Sequence, residues 1–302
     1  MEILISLASK YSFEMTKSEF DTNQYNLGQR KNWDAVAAGW QKWWKTFEKG
    51  GQEVSDKLVE LAQIKTGQRI VDIATGIGEP ALTASRKVGN SGYVMATDIS
   101  SEMLAIGKER ARRDGAKNVD FKEGDAATVV LPSSSFDAAL CRWGLMFLPN
   151  LSGALDNICR SLVSGGKFAA AVWSVPEKVP QLNIAMSIVR QYLQLPTPST
   201  EIPGAFSLAN LDRLQNFFHQ ARFKNIEVEK IQVTFEFDSA EDYVKFTQDI
   251  AAPVNLMMAN ETAKKKEELW KIITEKVHSQ HTKDNGQVVL DNEAICVVAD
   301  SQ

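Results

Sequence analysis

The stretch Val71-Asp72-Ile73-Ala74-Thr75-Gly76-Ile77-Gly78-Glu79-Pro80 constrains this chain more than any other. An apolar run from Arg69 to Ile73 predicts a buried strand, and two glycines predict a tight loop. Pro80 then opens a helical pattern carried by Ala81, Leu82, Ala84, Ser85 and Val88. Proline is harmless there, because the N–H it lacks would have had no partner. A strand, a glycine turn and a helix in that order bring backbone close to a bound ligand.

The same rhythm continues downstream. Strands are expected over residues 93–96, 119–122, 136–141 and 167–173, and helices over 100–114 and 151–162, with Ser100 as a helix cap. Such alternation implies right-handed crossovers and a doubly wound, mostly parallel sheet, an α/β fold. Beyond residue 173 the pattern changes. Helices are expected over 181–193 and 207–221, a period-two strand over 226–237, further helices over 239–280, and a last pair of strand segments at 287–290 and 293–299. The whole amounts to a seven-stranded sheet with an antiparallel last strand and helical lid insertions.

Upstream, Trp33, Val36, Ala37, Trp40, Trp43, Trp44 and Phe47 fall at helical spacing, and Gly50-Gly51 is expected to break that helix before a second one over 54–64. The division that follows is an N-terminal arm (1–30), a core with its leading helices (31–174), a helical insertion (175–223) and C-terminal strands (224–302) carrying a second insertion (239–283). Insertions on the ligand side of such a sheet form lids or substrate pockets.

With a net charge of −4 over 302 residues and a longest basic run (264–266) followed at once by Glu267 and Glu268, the chain does not look like a nucleic-acid binder. Three scattered cysteines with no CxxC pair argue against a disulfide scaffold or a zinc site, so no metal is expected. The opening residues are too short and too acidic for a signal peptide, and no apolar stretch approaches the ~20 residues of a membrane span. The expectation is a cytoplasmic soluble protein acting on a small molecule, with its oligomeric state open.

Ligands of an open parallel sheet sit beyond the carboxyl ends of its strands. Those ends carry Asp72 and the glycines, then Asp98, Asp125 and Arg142-Trp143. Gly76-Ile77-Gly78-Glu79-Pro80-Ala81 formally satisfies the dinucleotide fingerprint, with Asp98 twenty residues past Gly78, so an NAD(P)-dependent oxidoreductase is one reading. Two carboxylates favour another. Asp72, four residues before the first glycine, would repel a pyrophosphate and suit an ammonium and a sulfonium. Asp125, after Gly124 and before Ala126, can accept from the exocyclic amine of adenine. Together with an acid for the ribose diol, the set fits S-adenosylmethionine (SAM).

On these residues the chain resembles the class I SAM-dependent methyltransferases, Rossmann-like enzymes, and within them the small-molecule branch that includes the ubiquinone/menaquinone-biosynthesis C-methyltransferases. The matching stretches are Val71 to Pro80, Ala96-Thr97-Asp98-Ile99-Ser100, Gly124-Asp125-Ala126, Phe136-Asp137 and Gly165-Gly166-Lys167, across roughly residues 31–175. Pro80 stands where many members have glycine, and the last 130 residues match only in general style. The resemblance implies that Asp72 and the backbone of Ala74, Thr75, Gly76 and Gly78 hold the methionine end of SAM. It places Asp98 on the ribose, Ile99 and Met103 against the adenine, and Gly124, Asp125 and Ala126 at the adenine edge. Arg142 would lie beside the cofactor or serve as an ion-pair partner, and Trp40 and Trp44 would cover the site.

Methyl transfer from a sulfonium is an in-line displacement that chiefly needs alignment and the exclusion of water. Aromatic walls suit its developing charge, which gives Trp40, Trp143 and Phe147 a possible role or leaves them as plain core. A hydroxyl or carbon acceptor would also need a base. His219, His278, His281 and Tyr25 are the candidates, and none is assigned. Enzymatic methyl transfer to a small, partly apolar acceptor is the first reading; the oxidoreductase and a non-catalytic SAM-binding module are the alternatives.

Overall fold

The structure, a computed structural model, describes residues 21–302. Most of the arm expected over 1–30 therefore lies outside the described residues. The rest of it, from Thr22, opens a single helix, α1 (Thr22–Leu61), capped by the Asp21 carboxylate, which accepts from the N–H groups of Asn23 (2.8 Å) and Gln24 (3.1 Å).

The break expected at Gly50-Gly51 does not occur. Each glycine costs a helix about 1 kcal/mol relative to alanine. Here both are needed for close approach. A Cβ on Gly50 would stand 2.7 Å from the Thr234 carbonyl oxygen, and one on Gly51 would stand 3.1 Å from the Arg142 guanidinium. Gly39 does the same against the Asp249 backbone, at 2.1 Å. The glycines let one helix lie flat on the sheet instead of ending it.

The remaining elements follow in the order β1 (Arg69–Ile73), α2 (Ala81–Val88), β2 (Tyr93–Asp98), α3 (Ser101–Arg113), β3 (Val119–Glu123), β4 (Phe136–Arg142), α4 (Leu151–Ser161) and β5 (Leu162–Trp173). Then come α5 (Pro180–Tyr192), α6 (Leu211–Gln220), β6 (Lys224–Phe237), α7 (Ala240–Ile250), α8 (Ala252–Met257), α9 (Ala263–His281) and β7 (Val288–Asp300). The seven strands form one sheet in the order β3-β2-β1-β4-β5-β7-β6, with only β7 antiparallel to its neighbours. The α/β sheet expected from the sequence is thus present. Ser100 caps α3 through its hydroxyl, which accepts from Met103 N–H at 3.1 Å. The last two expected segments are one strand: Asn292, between them, is 2 % exposed and donates its amide to the carbonyls of Val233 and Leu290.

Helices α5 and α7–α9 pack on one another, and α1 packs against β6, α3 and α7. No helix among the described residues is long and apolar enough to cross a membrane.

Candidate functional site

Strand order reverses between β1 and β4, and a crevice opens beyond their ends, where ligands bind in sheets of this kind. Both chains turn sharply there. Ala74 (φ 56°) and Trp143 (φ 57°) take the left-handed conformation without being glycine, a strain that persists only where the surroundings impose it. The cavity they flank has a volume of about 200 Å³.

Most of the residues singled out in the sequence line it: Ala74, Thr75, Gly76, Asp98, Ile99, Met103, Gly124, Asp125, Ala126, Arg142 and Trp40. Gly76 is held at φ 56°, and nothing lies within 4 Å of where its Cβ would be, so the loop backbone faces open space. Asp98 fixes that loop. Its carboxylate accepts from Gly76 N–H (2.8 Å) and Ser100 N–H (2.9 Å). Burial pushes its pKa up to about 6, against the pull of those backbone donors.

Asp125 accepts from Ala127 N–H at 2.7 Å and from the Asn26 amide of α1. Helix α1 crosses the mouth of the crevice. Besides Asn26 it holds Arg30 against Glu123 and sets Asp34 to accept from the Ser100 hydroxyl at 2.6 Å. Its Trp33, Trp40 and Phe47, one every seven residues, face the cavity.

Three expected residues do not reach it. Asp72 is fully buried behind the loop, where its carboxylate accepts from Ala81 N–H at 3.0 Å at the start of α2. The α2 N-terminus thus engages one Asp72 oxygen, while Oδ1 is buried without a partner among the described residues. Gly78 (φ 105°) lies against α3, 3.4 Å from Gly107 at its Cβ position. Trp44 is half-buried against the cluster that includes Ile77 and Met103, under the guanidinium groups of Arg110 and Arg113, 4.9 and 4.7 Å from its ring centre.

Burial pushes the Asp72 pKa up to about 8. An acid raised from 3.8 in the unfolded chain loses folding stability as pH climbs between those values, by at most about 1.4 kcal/mol per pH unit. Asp72→Asn keeps the oxygen that caps α2. Urea unfolding at pH 5 and pH 8 is expected to show a flatter pH dependence for this variant; an unchanged slope would mean that Asp72 is charged when folded.

Arg142 lines the cavity wall, yet its guanidinium is committed elsewhere. It forms a two-pronged pair with Glu48 of α1 (3.0 and 3.1 Å) and donates to the Gly51 carbonyl and the Ser55 hydroxyl, both at 2.9 Å. Burial opposes its charge, and the surrounding carboxylates, Glu48 first, more than offset that, so its pKa lies above the ordinary guanidinium value. Glu79, a lining residue the sequence did not suggest, is likewise occupied by the Thr83 N–H (3.2 Å) and hydroxyl (2.7 Å). Burial raises its pKa.

The far half of the cavity is apolar. Trp143 stacks on Trp173 at 4.3 Å, Phe47 meets Trp143 edge-on at 5.5 Å, and Trp33 meets Phe147 edge-on at 5.4 Å. Leu182, Met186, Phe246, Ile250 and Val254 from the inserted helices complete it, with Gln181 and Thr247 the polar exceptions. No spacing signal could have picked these out, because which face of a lid helix meets the sheet is decided by tertiary packing. None of the histidines is among the lining residues, and His219 and His278 are exposed. Tyr25 donates to the Pro203 carbonyl at 3.4 Å, and burial raises its pKa, the reverse of what a base needs.

Residues 48–197 match the model of the ubiE/COQ5 methyltransferase family. The ubiquinone/menaquinone biosynthesis C-methyltransferase UbiE of Pseudomonas fluorescens is 31% identical over 144 residues, which are 47% of this chain and 52% of that one. The chain resembles the class I SAM-dependent methyltransferases and, among them, UbiE. UbiE of Coxiella burnetii is 29% identical over 172 residues, 57% of this chain and 61% of its own. The chain thus spans about half the length of the curated relatives it matches. Two solved structures share the fold. The YcgJ protein of Bacillus subtilis has a TM-score of 0.54 at 16% identity and covers 83% of this chain and 99% of itself. A phosphoethanolamine N-methyltransferase of Haemonchus contortus has a TM-score of 0.56 at 20% identity and covers 90% of this chain and 60% of itself.

Proposed function

We propose that this protein is an enzyme that binds SAM and transfers its methyl group to a small, largely apolar acceptor. The observation that carries this reading is the single cavity wall on which Asp98, Asp125 and the open backbone at Gly76 stand together, continuous with an aromatic chamber. Asp98 would hold the ribose hydroxyls, with Ile99 and Met103 against the adenine face, Gly124, Asp125 and Ala126 at its edge, and Ala74 to Gly76 at the methionine end. Buried polar atoms without a partner among the described residues, the indole nitrogens of Trp40 and Trp143, fit a site built to be filled.

SAM supplies the activated methyl group. The chain's own residues would bind, orient and keep out water: α1 closes one side, and the Trp143–Trp173 stack gives the acceptor a flat wall. Glu79 and Arg142, which line the cavity, already have partners, which supports alignment as the main source of the acceleration. The reading extends to a division of labour, with residues 31–174 holding the cofactor and the insertions 175–223 and 239–283 shaping the acceptor side. It extends also to a cytoplasmic setting, where the free thiols of Cys141, Cys159 and Cys296 stay reduced.

Thermal unfolding with SAM, S-adenosylhomocysteine (SAH) and NAD tests it. A ligand at a hundred times its dissociation constant stabilises the folded state by about 2.7 kcal/mol, and that is expected for SAM and SAH and not for NAD. Stabilisation by NAD alone would favour the oxidoreductase.

A further inference from the structure

Besides the indole nitrogens of Trp40 and Trp143, the cavity is lined by a further buried polar group without a partner among the described residues, and this one is rigidly mounted. Gln181 is 4 % exposed, lines the chamber, and its amide oxygen has no hydrogen-bond partner among the described residues. A buried acceptor left empty lowers stability, and such groups are rare unless something fills them in the working state.

Its backbone is fixed from both sides. The Gln181 N–H donates to Asn292 Oδ1 at 2.9 Å, and the Gln181 carbonyl accepts from the Tyr243 hydroxyl at 3.0 Å. Both partners are themselves buried and committed. Asn292 donates to the carbonyls of Val233 (3.0 Å) and Leu290 (2.9 Å), and Tyr243 is completely enclosed. Strand β7, helix α7 and strand β6 thus converge on the first turn of α5. A first contact held this firmly by a second layer of hydrogen bonds is how sites position a ligand within a fraction of an ångström. Much of the remaining lining is apolar, Leu182, Met186, Trp173 and Phe246 among it.

We propose that Gln181 is the positioning residue for the methyl acceptor: its amide oxygen takes a hydrogen bond from an O–H or N–H of an otherwise apolar, uncharged molecule and so sets which atom faces the cofactor. This rests on the methyltransferase reading. Thr247, the other polar lining residue from the inserted helices, already has a partner, its hydroxyl donating to the Tyr243 carbonyl at 2.8 Å within α7.

The test is calorimetric binding of two probes of nearly equal shape, indole and 1-methylindole, to the protein saturated with SAH. Indole has the N–H donor and 1-methylindole lacks it. Indole is expected to bind about tenfold more tightly, the usual weight of one well-placed hydrogen bond. Gln181→Leu should abolish that preference while SAH binding is unchanged, and Gln181→Glu, which keeps an acceptor oxygen, should restore it. Equal affinity of the two probes for the unaltered protein, or the same preference in Gln181→Leu, overturns the proposal, as does failure of both probes to bind the SAH-saturated protein. Failure of SAH itself to bind instead overturns the methyltransferase reading, so the two results are separable.

Discussion

Asp98→Ala is expected to weaken SAH binding about a hundredfold, measured by calorimetry at pH 7.5. The carboxylate has two tasks. It would accept from both ribose hydroxyls, and charge-assisted hydrogen bonds contribute about 1.5–3 kcal/mol each, so losing a pair accounts for at least two powers of ten. It also holds the glycine loop through Gly76 N–H and the start of α3 through Ser100 N–H, at 2.8 and 2.9 Å. An alanine leaves both donors buried without a partner, so the loop loses its fixed shape as well. Asp98→Asn separates the tasks. It keeps an acceptor oxygen for the backbone but not the charge, and an intermediate loss is expected.

The raised pKa of Asp98, about 6, adds a pH signature. The charged form is the better double acceptor, so affinity should fall as pH drops below 6 and should be flat above 7. Affinity independent of pH between 5 and 7.5, or wild-type affinity in Asp98→Ala, would remove the ribose assignment.

How far the sequence could go is shown by the contrast between Asp98 and Asp72. Both stand at strand ends beside the glycine loop, and spacing alone treats them as equals. Asp98 ends β2 and reaches the crevice, whereas Asp72 lies one residue inside the end of β1, paired with Ala96 of β2 and Leu140 of β4, and finds the α2 N-terminus instead. A period-two strand reverses side-chain direction at every step, so an error of one residue in where the strand stops exchanges crevice for interior. The alternation of strands and helices was legible because each element buries one face at a fixed period. Gly50-Gly51 misled for the opposite reason. Glycine is a helix breaker by intrinsic preference, and only the approach of α1 to Thr234 and Arg142 makes its missing side chain an advantage. Gln181 left no mark in the sequence, since its part depends on Asn292 and Tyr243, 111 and 62 residues away.

Those same glycines lead to the largest expected loss of stability, in Arg142→Met. The Arg142 side chain, 5 % exposed, passes between β4 and α1, and Gly51 leaves room for it. Methionine fills similar space but removes the pair to Glu48 and leaves the Gly51 carbonyl and Ser55 hydroxyl without their donor. Breaking a buried pair from one side costs about 3–5 kcal/mol, because the remaining charge stays out of water. Arg110 stands 3.8 Å from Glu48 and softens the loss, so about 3 kcal/mol is expected, read from urea unfolding. Glu48→Leu in the same background removes the stranded carboxylate. The double variant should therefore be more stable than the sum of the single losses by at least about 1 kcal/mol, the coupling expected of residues in one network. Strict additivity would show that Arg142 acts through its packing against Phe47 and Trp143, 5.6 and 5.2 Å from their ring centres, rather than through charge. In either case the wall of the aromatic chamber is set from behind, by a residue whose charged end is turned away from it.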